Sequence, residues 1–172
     1  MGLSEKIIAA LQAPLSAEYV RIDDDNGISG FVVSRRFENM STLDRQQLID
    51  EVLRNGPDPL SHEEQRQILL IAGLTPGEYD SAGPRIRVHR IRAQNDGSLE
   101  ILLHGPYSDA MYVRDTLENE KGVRTTEPEQ APGAIGILMR FSAKGTPEDP
   151  LTKERATWVL KADQYIQVMQ NA

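Results

Sequence analysis

Three histidines, a run of aspartates and a set of clustered arginines are the residues of this chain that could do chemistry. His62 follows a helix-capping signal at Ser61, and His89 and His104 fall on predicted strands. No serine, threonine or lysine stands beside a base in a recognisable nucleophilic pattern. Acids are plentiful, but spacing alone cannot pair them across a cleft. Asp23-Asp24-Asp25-Asn26-Gly27 has the composition of a calcium loop. Counting back from Gly27 places Ile22 at the first ligand position, and no glutamate follows at the right distance, so the run reads as a solvated turn. Two basic groupings remain. Arg35-Arg36-Phe37 sets cations beside an aromatic ring, a combination used by single-strand binders. Arg85, Arg87 and Arg92 recur along one predicted strand, with His104 on the next.

Gly27-Ile28-Ser29-Gly30 matches the GxxG pattern that clamps a nucleic-acid backbone in KH domains. That clamp belongs between two helices, whereas this tetrad lies between two strands. A hairpin turn is the favoured reading.

The chain has 172 residues, 39% of them hydrophobic and 26% charged, with a net charge of −7. This is ordinary for a soluble globular protein. The charge is uneven: residues 1–80 carry seven basic against fourteen acidic side chains, and residues 81–172 carry twelve of each. An acidic first half repels phosphate backbones. There is no cysteine, so disulfides, thiolate metal sites and cysteine nucleophiles are excluded. No apolar run is long enough to span a bilayer, and MGLSEKIIAALQ lacks the charged and apolar regions of a signal peptide. Lys6 stands where myristoylation needs serine or threonine. A cytoplasmic location is expected.

The elements that must position these residues follow from periodicity. Leu3, Ile7, Ile8 and Leu11 have helical spacing, ended by Pro14. Tyr19–Ile22 and Ile28–Ser34 form strands around the hairpin pair Asn26-Gly27. Ser41 caps a helix whose apolar face is Leu48, Ile49, Val52 and Leu53, and Asn55-Gly56-Pro57 stops it. Ser61 with Glu64 is a second capping signal, and Ile68–Ile71 is expected to be a buried strand.

Ser81-Ala82-Gly83-Pro84 marks a boundary. Beyond it come two strands, 85–93 and 98–104, a helix from Pro106 or Ser108 to Gly122, and a polar loop over 125–132. A strand over Ala134–Phe141 follows. A final helix is capped by Asp149-Pro150, with the stripe Leu151, Trp158, Val159, Ala162, Ile166 and Met169. Both halves share the order hairpin, helix, strand, as a duplication would leave.

The hairpin over 85–104 constrains its own geometry. Ile86 and Val88 are out of phase with Ile91 and Ala93, while Leu99, Ile101 and Leu103 share one face. A bulge at His89-Arg90 and a three-residue loop Asn95-Asp96-Gly97 bring every apolar residue to one side. Arg85, Arg87, Arg92 and His104 then share the other side, an anion site or a dock for the acidic half. A two-residue turn at Asp96-Gly97 would oppose His89 and His104 as a metal pair, but it would place Arg90 and Arg92 inward, which charge burial disfavours. No metal site is expected.

The first ~80 residues resemble the BolA-like family. The resemblance rests on the N-terminal helix, an acidic strand end before a loop, and Phe31-Val32-Val33-Ser34. It continues through Arg36-Phe37, Met40-Ser41 with Arg45, and Leu74-Thr75-Pro76 with Glu78-Tyr79. It implies an α+β module of αββαβ order, similar to type II KH domains, that acts without catalysis by binding monothiol glutaredoxins, handling iron–sulfur clusters or regulating transcription. Aligning Leu74-Thr75-Pro76 places Gln67 where the family carries its histidine ligand, and the loop between the first two strands offers only Asp23, Asp24, Asp25 and Asn26. A carboxamide is a poor iron ligand.

The expected architecture is a BolA-like module over 1–80 followed by a second α+β unit of ββαβα order over 81–172. The expected function is non-enzymatic protein binding in regulation or stress response, with no cofactor and no membrane. The alternatives are a nucleic-acid-binding regulator using Arg35, Arg36 and strand 85–92, and an enzyme acting on an anionic small molecule.

Overall fold

In the computed structural model, which describes residues 2–131 and 138–169, the chain is α+β and divides into two units, Met1–Pro84 and Arg85–Ala172.

The first unit runs α1 (Leu3–Gln12), β1 (Tyr19–Asp23), β2 (Ile28–Val33), a 3-10 turn (Arg35–Phe37), α2 (Thr42–Asn55), α3 (His62–Arg66), β3 (Ile68–Leu74) and α4 (Pro76–Ala82). β1 and β2 are antiparallel, β2 and β3 are parallel, and the sheet order is β1-β2-β3. Asn26 and Gly27 make the tight turn between β1 and β2 with φ of 58° and 109°, the left-handed conformation that favours this pair. A parallel pair needs a long crossover, and α2 and α3 provide it. Ile7, Leu11, Val20, Ile22, Val32, Ile49 and Ile71 meet in one apolar core. On the other sheet face Tyr19, Phe31 and Tyr79 contact one another with ring centroids 5.6–5.7 Å apart.

The three later helices of this unit, α2, α3 and α4, each begin with a side-chain cap. Ser41 Oγ accepts from the Asp44 N–H, while Ser61 with Glu64 and Thr75 with Glu78 form complete capping boxes. Ser41→Ala therefore lowers stability by about 1 kcal/mol, read from the urea midpoint. An unchanged midpoint would show that the hydroxyl contributes nothing to α2. Arg45, on the first turn of α2, donates to the Met40 and Gly73 carbonyls and to both oxygens of Glu78 at 2.7 and 3.1 Å. It ties α2 to the end of β3 and the start of α4. The hydrogen bonds from Thr75 and from Arg45 hold the Glu78 carboxyl below the usual carboxylate range.

The second unit runs β4 (Ile86–Ala93), β5 (Leu99–His104), α5 (Tyr107–Glu118), β6 (Arg124–Thr125), β7 (Glu129–Gln130), β8 (Leu138–Lys144), α6 (Lys153–Lys161) and β9 (Ile166–Val168). The sheet order is β6-β8-β5-β4-β9, with β7 also on β8. Ile86, Val88, Ile91, Ile101, Leu103, Phe141, Val113, Leu117, Ala156 and Leu160 are all at most 2% exposed and form its core.

Several expectations change here. The final helix is capped by Thr152, not Asp149-Pro150; Asp149 instead closes a turn with Thr146. The helix buries Ala156 and Leu160 and leaves Trp158 73% exposed, so the longer stripe is not its inner face. Ile166 belongs to β9, parallel to β4. The polar loop contributes two short strands. The expected strand over Ala134–Phe141 is β8 from Leu138 onward, and 134–137 lie outside the described residues. β8 runs antiparallel to β5 where β3 runs parallel to β2, so the shared element order does not extend to a shared topology.

Candidate binding surfaces

The basic-aromatic corner is dismantled by the fold. Phe37 is fully buried. A Cβ on Gly73 would lie 3.0 Å from its ring, so Phe37 is a core residue and not a stacking platform. Arg36 donates to the Pro14 carbonyl and Arg35 pairs with Glu18 at 3.1 Å. Both side chains fasten the α1–β1 connection. Gly27-Ile28-Ser29-Gly30 is the hairpin turn and the strand after it, with no helix on either side.

Gln67 is the C-cap of α3, exposed, and its carbonyl accepts from the Ile28 N–H. In the β1–β2 turn, Asp23 lies 3.6 Å from Arg21, and Asp24 accepts from Ser4. The donors at this end of the unit are carboxylates and a carboxamide, which suit hard cations rather than iron–sulfur chemistry, and the chain has no cysteine. The residues do not fit a cluster. Among the described residues no group of three or more His, Asp or Glu could hold a metal ion.

The edge of the first sheet was not legible as a site. Ile68–Ile71 is not a buried strand. Ile71 is 1% exposed, but Leu69 is 70% and Leu70 58% exposed. Strand alternation cannot bury four consecutive apolar residues against one core. A register shift adds to this: Ile28 opposes Ile68 while Ser29 opposes Leu70, leaving Leu69 as the extra residue. β3 is an edge strand, paired with β2 alone. Beside it a groove of about 420 Å³ runs along α2, lined by Ile49, Asp50, Leu53, Ile68, Leu69 and Leu70 among others.

The arginine-bearing hairpin takes the expected register. Ala93 opposes Leu99, Ile91 opposes Ile101, Val88 opposes Leu103 and Arg87 opposes His104, with His89 the bulged residue. Gly97 is left-handed at φ 85°. Val88 is fully buried and Arg87 exposed. Arg85 is half-buried just before β4, and Arg92 pairs with Glu100 at 3.3 Å. Two features differ from expectation. The bulge turns both His89 and Arg90 outward, so His89 meets His104 edge-on at 5.5 Å between ring centroids even in this register. Ala93 is exposed, whereas Leu102, on the outer side, is 8% exposed.

No helix among the described residues is long and apolar enough to cross a membrane. No family model matches the chain, and no curated protein matches it. Part of the chain, under half of it, is similar to BolA-like proteins of known structure. One is a Bol-like protein from Babesia bovis, 26% identical, covering 47% of this chain and 92% of its own, with a TM-score of 0.36. Another is BolA1 from Arabidopsis thaliana, 22% identical, covering 45% of this chain and 96% of its own, also with a TM-score of 0.36.

Proposed function

We propose that the protein is a non-enzymatic binding module whose first unit takes an extended, basic segment of a partner protein along the edge of β3. The observation that carries this reading is the exposure of Leu69 and Leu70, 70% and 58%, on an edge strand. An exposed apolar sheet edge is a template for another strand unless it is blunted by charge, proline, a bulge or a cover. β3 holds no charged residue or proline, and its register shift is confined to Leu69, with Leu70–Leu74 in regular register. An added strand supplies main-chain hydrogen bonds, and alternate side chains find pockets. The groove against α2 offers such a pocket.

Charge complementarity selects the occupant. Residues 1–84 carry seven basic and fourteen acidic side chains, so a lysine- or arginine-bearing segment is attracted and an acidic one repelled. The same balance disfavours a second copy of this unit on that edge.

A peptide alternating valine and lysine tests the reading by NMR on the full chain. The expected result is saturable shifts in the β3 amides and in the α2 residues beside the groove. Leu70→Asp weakens binding about tenfold, the loss of one buried leucine contact. An equal response to a valine–glutamate peptide, or shifts confined to other elements, would overturn it. So would concentration-dependent dimerisation abolished by Leu70→Asp.

A further inference from the structure

The bulge in β4 has a chemical consequence. A regular strand places alternate residues on one face, whereas this one presents Arg87, His89, Arg90 and Arg92 all exposed within six positions. Their surroundings divide them into two groups. Arg90 and Arg92 share Glu100, at 3.5 and 3.3 Å, and their charge is partly spent there. Arg87 has no carboxylate within 4.0 Å among the described residues. Its ladder neighbours are His104 on β5 and Gln167 on β9. His104 in turn opposes Leu138 on β8 and contacts the His89 ring. One guanidinium and two imidazoles therefore converge on open sheet surface with no acid among them.

We infer that Arg87, His89 and His104 form a binding site for the phosphate group of a small phosphorylated molecule. The guanidinium presents parallel N–H donors that match two phosphate oxygens. Each imidazole adds an N–H donor. The two rings meet edge-on at 5.5 Å between centroids, and His104 lies directly opposite Arg87, so the three cation-bearing or N–H-bearing side chains adjoin on one exposed face. Arg140 on β8 is held by Glu129 at 2.9 Å and lies outside the set. The alternative occupant, a nucleic-acid strand, is disfavoured by three facts. The second unit carries twelve basic and twelve acidic side chains, so it offers a polyanion no net attraction. The cations farther along the strand are already paired. The outward residues of β4, β5 and β8 include no Phe, Tyr or Trp on which bases would stack.

The test is a titration of the full chain with inorganic phosphate, followed by NMR at the His89 and His104 rings and the Arg87 amide. Saturable shifts at these three positions are expected. Arg87→Gln should weaken phosphate binding about tenfold, the loss of a charge-assisted pair. Arg124→Gln, on β6, should leave affinity within about twofold, since an exposed charge at a distance is screened. Shifts no larger than those from equal chloride would overturn the site. An oligothymidine that binds more tightly than phosphate, and loses more affinity with Arg92→Gln than with Arg87→Gln, would overturn it in favour of a strand interface.

Discussion

Alanine at Gly30 destabilises the first unit by about 3 kcal/mol, the upper end of the range for forcing atoms into filled space. Gly30 sits on β2 directly opposite Ile22 of β1. A Cβ there would lie 1.9 Å from the Arg21 carbonyl oxygen, 2.9 Å from its carbonyl carbon and 3.1 Å from the Ile22 Cα. All three are backbone atoms, so no rotamer change makes room. β1 and β2 must part, and because β2 is the central strand the disturbance reaches β3 as well. Gly77 is the matched control. It lies in the first turn of α4, where a Cβ would meet only Thr75 Oγ1 at 4.0 Å. Alanine is also the better helix former, so Gly77→Ala is neutral or slightly stabilising. Urea denaturation followed by far-UV circular dichroism separates the two. A Gly30→Ala midpoint equal to that of Gly77→Ala would show that the strands have slack. The glycine pair that matches a nucleic-acid clamp is thus accounted for by backbone geometry. Gly27 provides a turn conformation and Gly30 a close approach.

What the sequence made legible was local or self-constraining. Ser41 and Ser61 announce their helices because a capping side chain bonds only a few residues away. The hairpin over 85–104 could be solved because its two apolar faces are out of phase, and one bulge with one loop length satisfies both. What was not legible depended on distant partners. Phe37 follows two arginines and looks solvated, but its burial depends on Gly73, which arrives on β3 from the far end of the crossover. Ile166 fits a helical stripe as well as a strand. Asp163 decides it, because its carboxylate accepts from the Tyr165 N–H at 2.7 Å and so offers the backbone an alternative to another helical turn. The exposed edge at Leu69 and Leu70 had a readable trace, since four consecutive apolar residues cannot all face one core. The groove beside them required knowing that α2 packs there.

Deleting Val88 costs the second unit about 3–5 kcal/mol, whereas deleting His89 costs no more than ~1 kcal/mol, although both remove one residue from the same strand. His89 is the extra residue of the bulge: Val88, Arg90 and Ile91 face the consecutive partners Leu103, Leu102 and Ile101. Removing it leaves Ile86-Arg87-Val88-Arg90-Ile91 in regular alternation opposite the same residues, so Ile86, Val88 and Ile91 keep their inward places and Arg87 stays outward. Removing Val88, which is fully buried, has no such escape. Counting back from Ile91, His89 takes the inward place opposite Leu103. The unit forfeits roughly 1.5–3 kcal/mol of valine burial and must bury an imidazole, at about 1–3 kcal/mol if its N–H finds no partner. The strand can avoid that cost only by releasing its first residues, which also removes their pairing with β9. Amide exchange distinguishes the two deletions: loss of Val88 should remove protection at Leu103 and Val168 before Ile101, and loss of His89 should leave all three protected. A His89 deletion that loses protection at Leu103, or costs as much as the Val88 deletion, would mean that the bulge does more than absorb the phase difference between the two apolar faces.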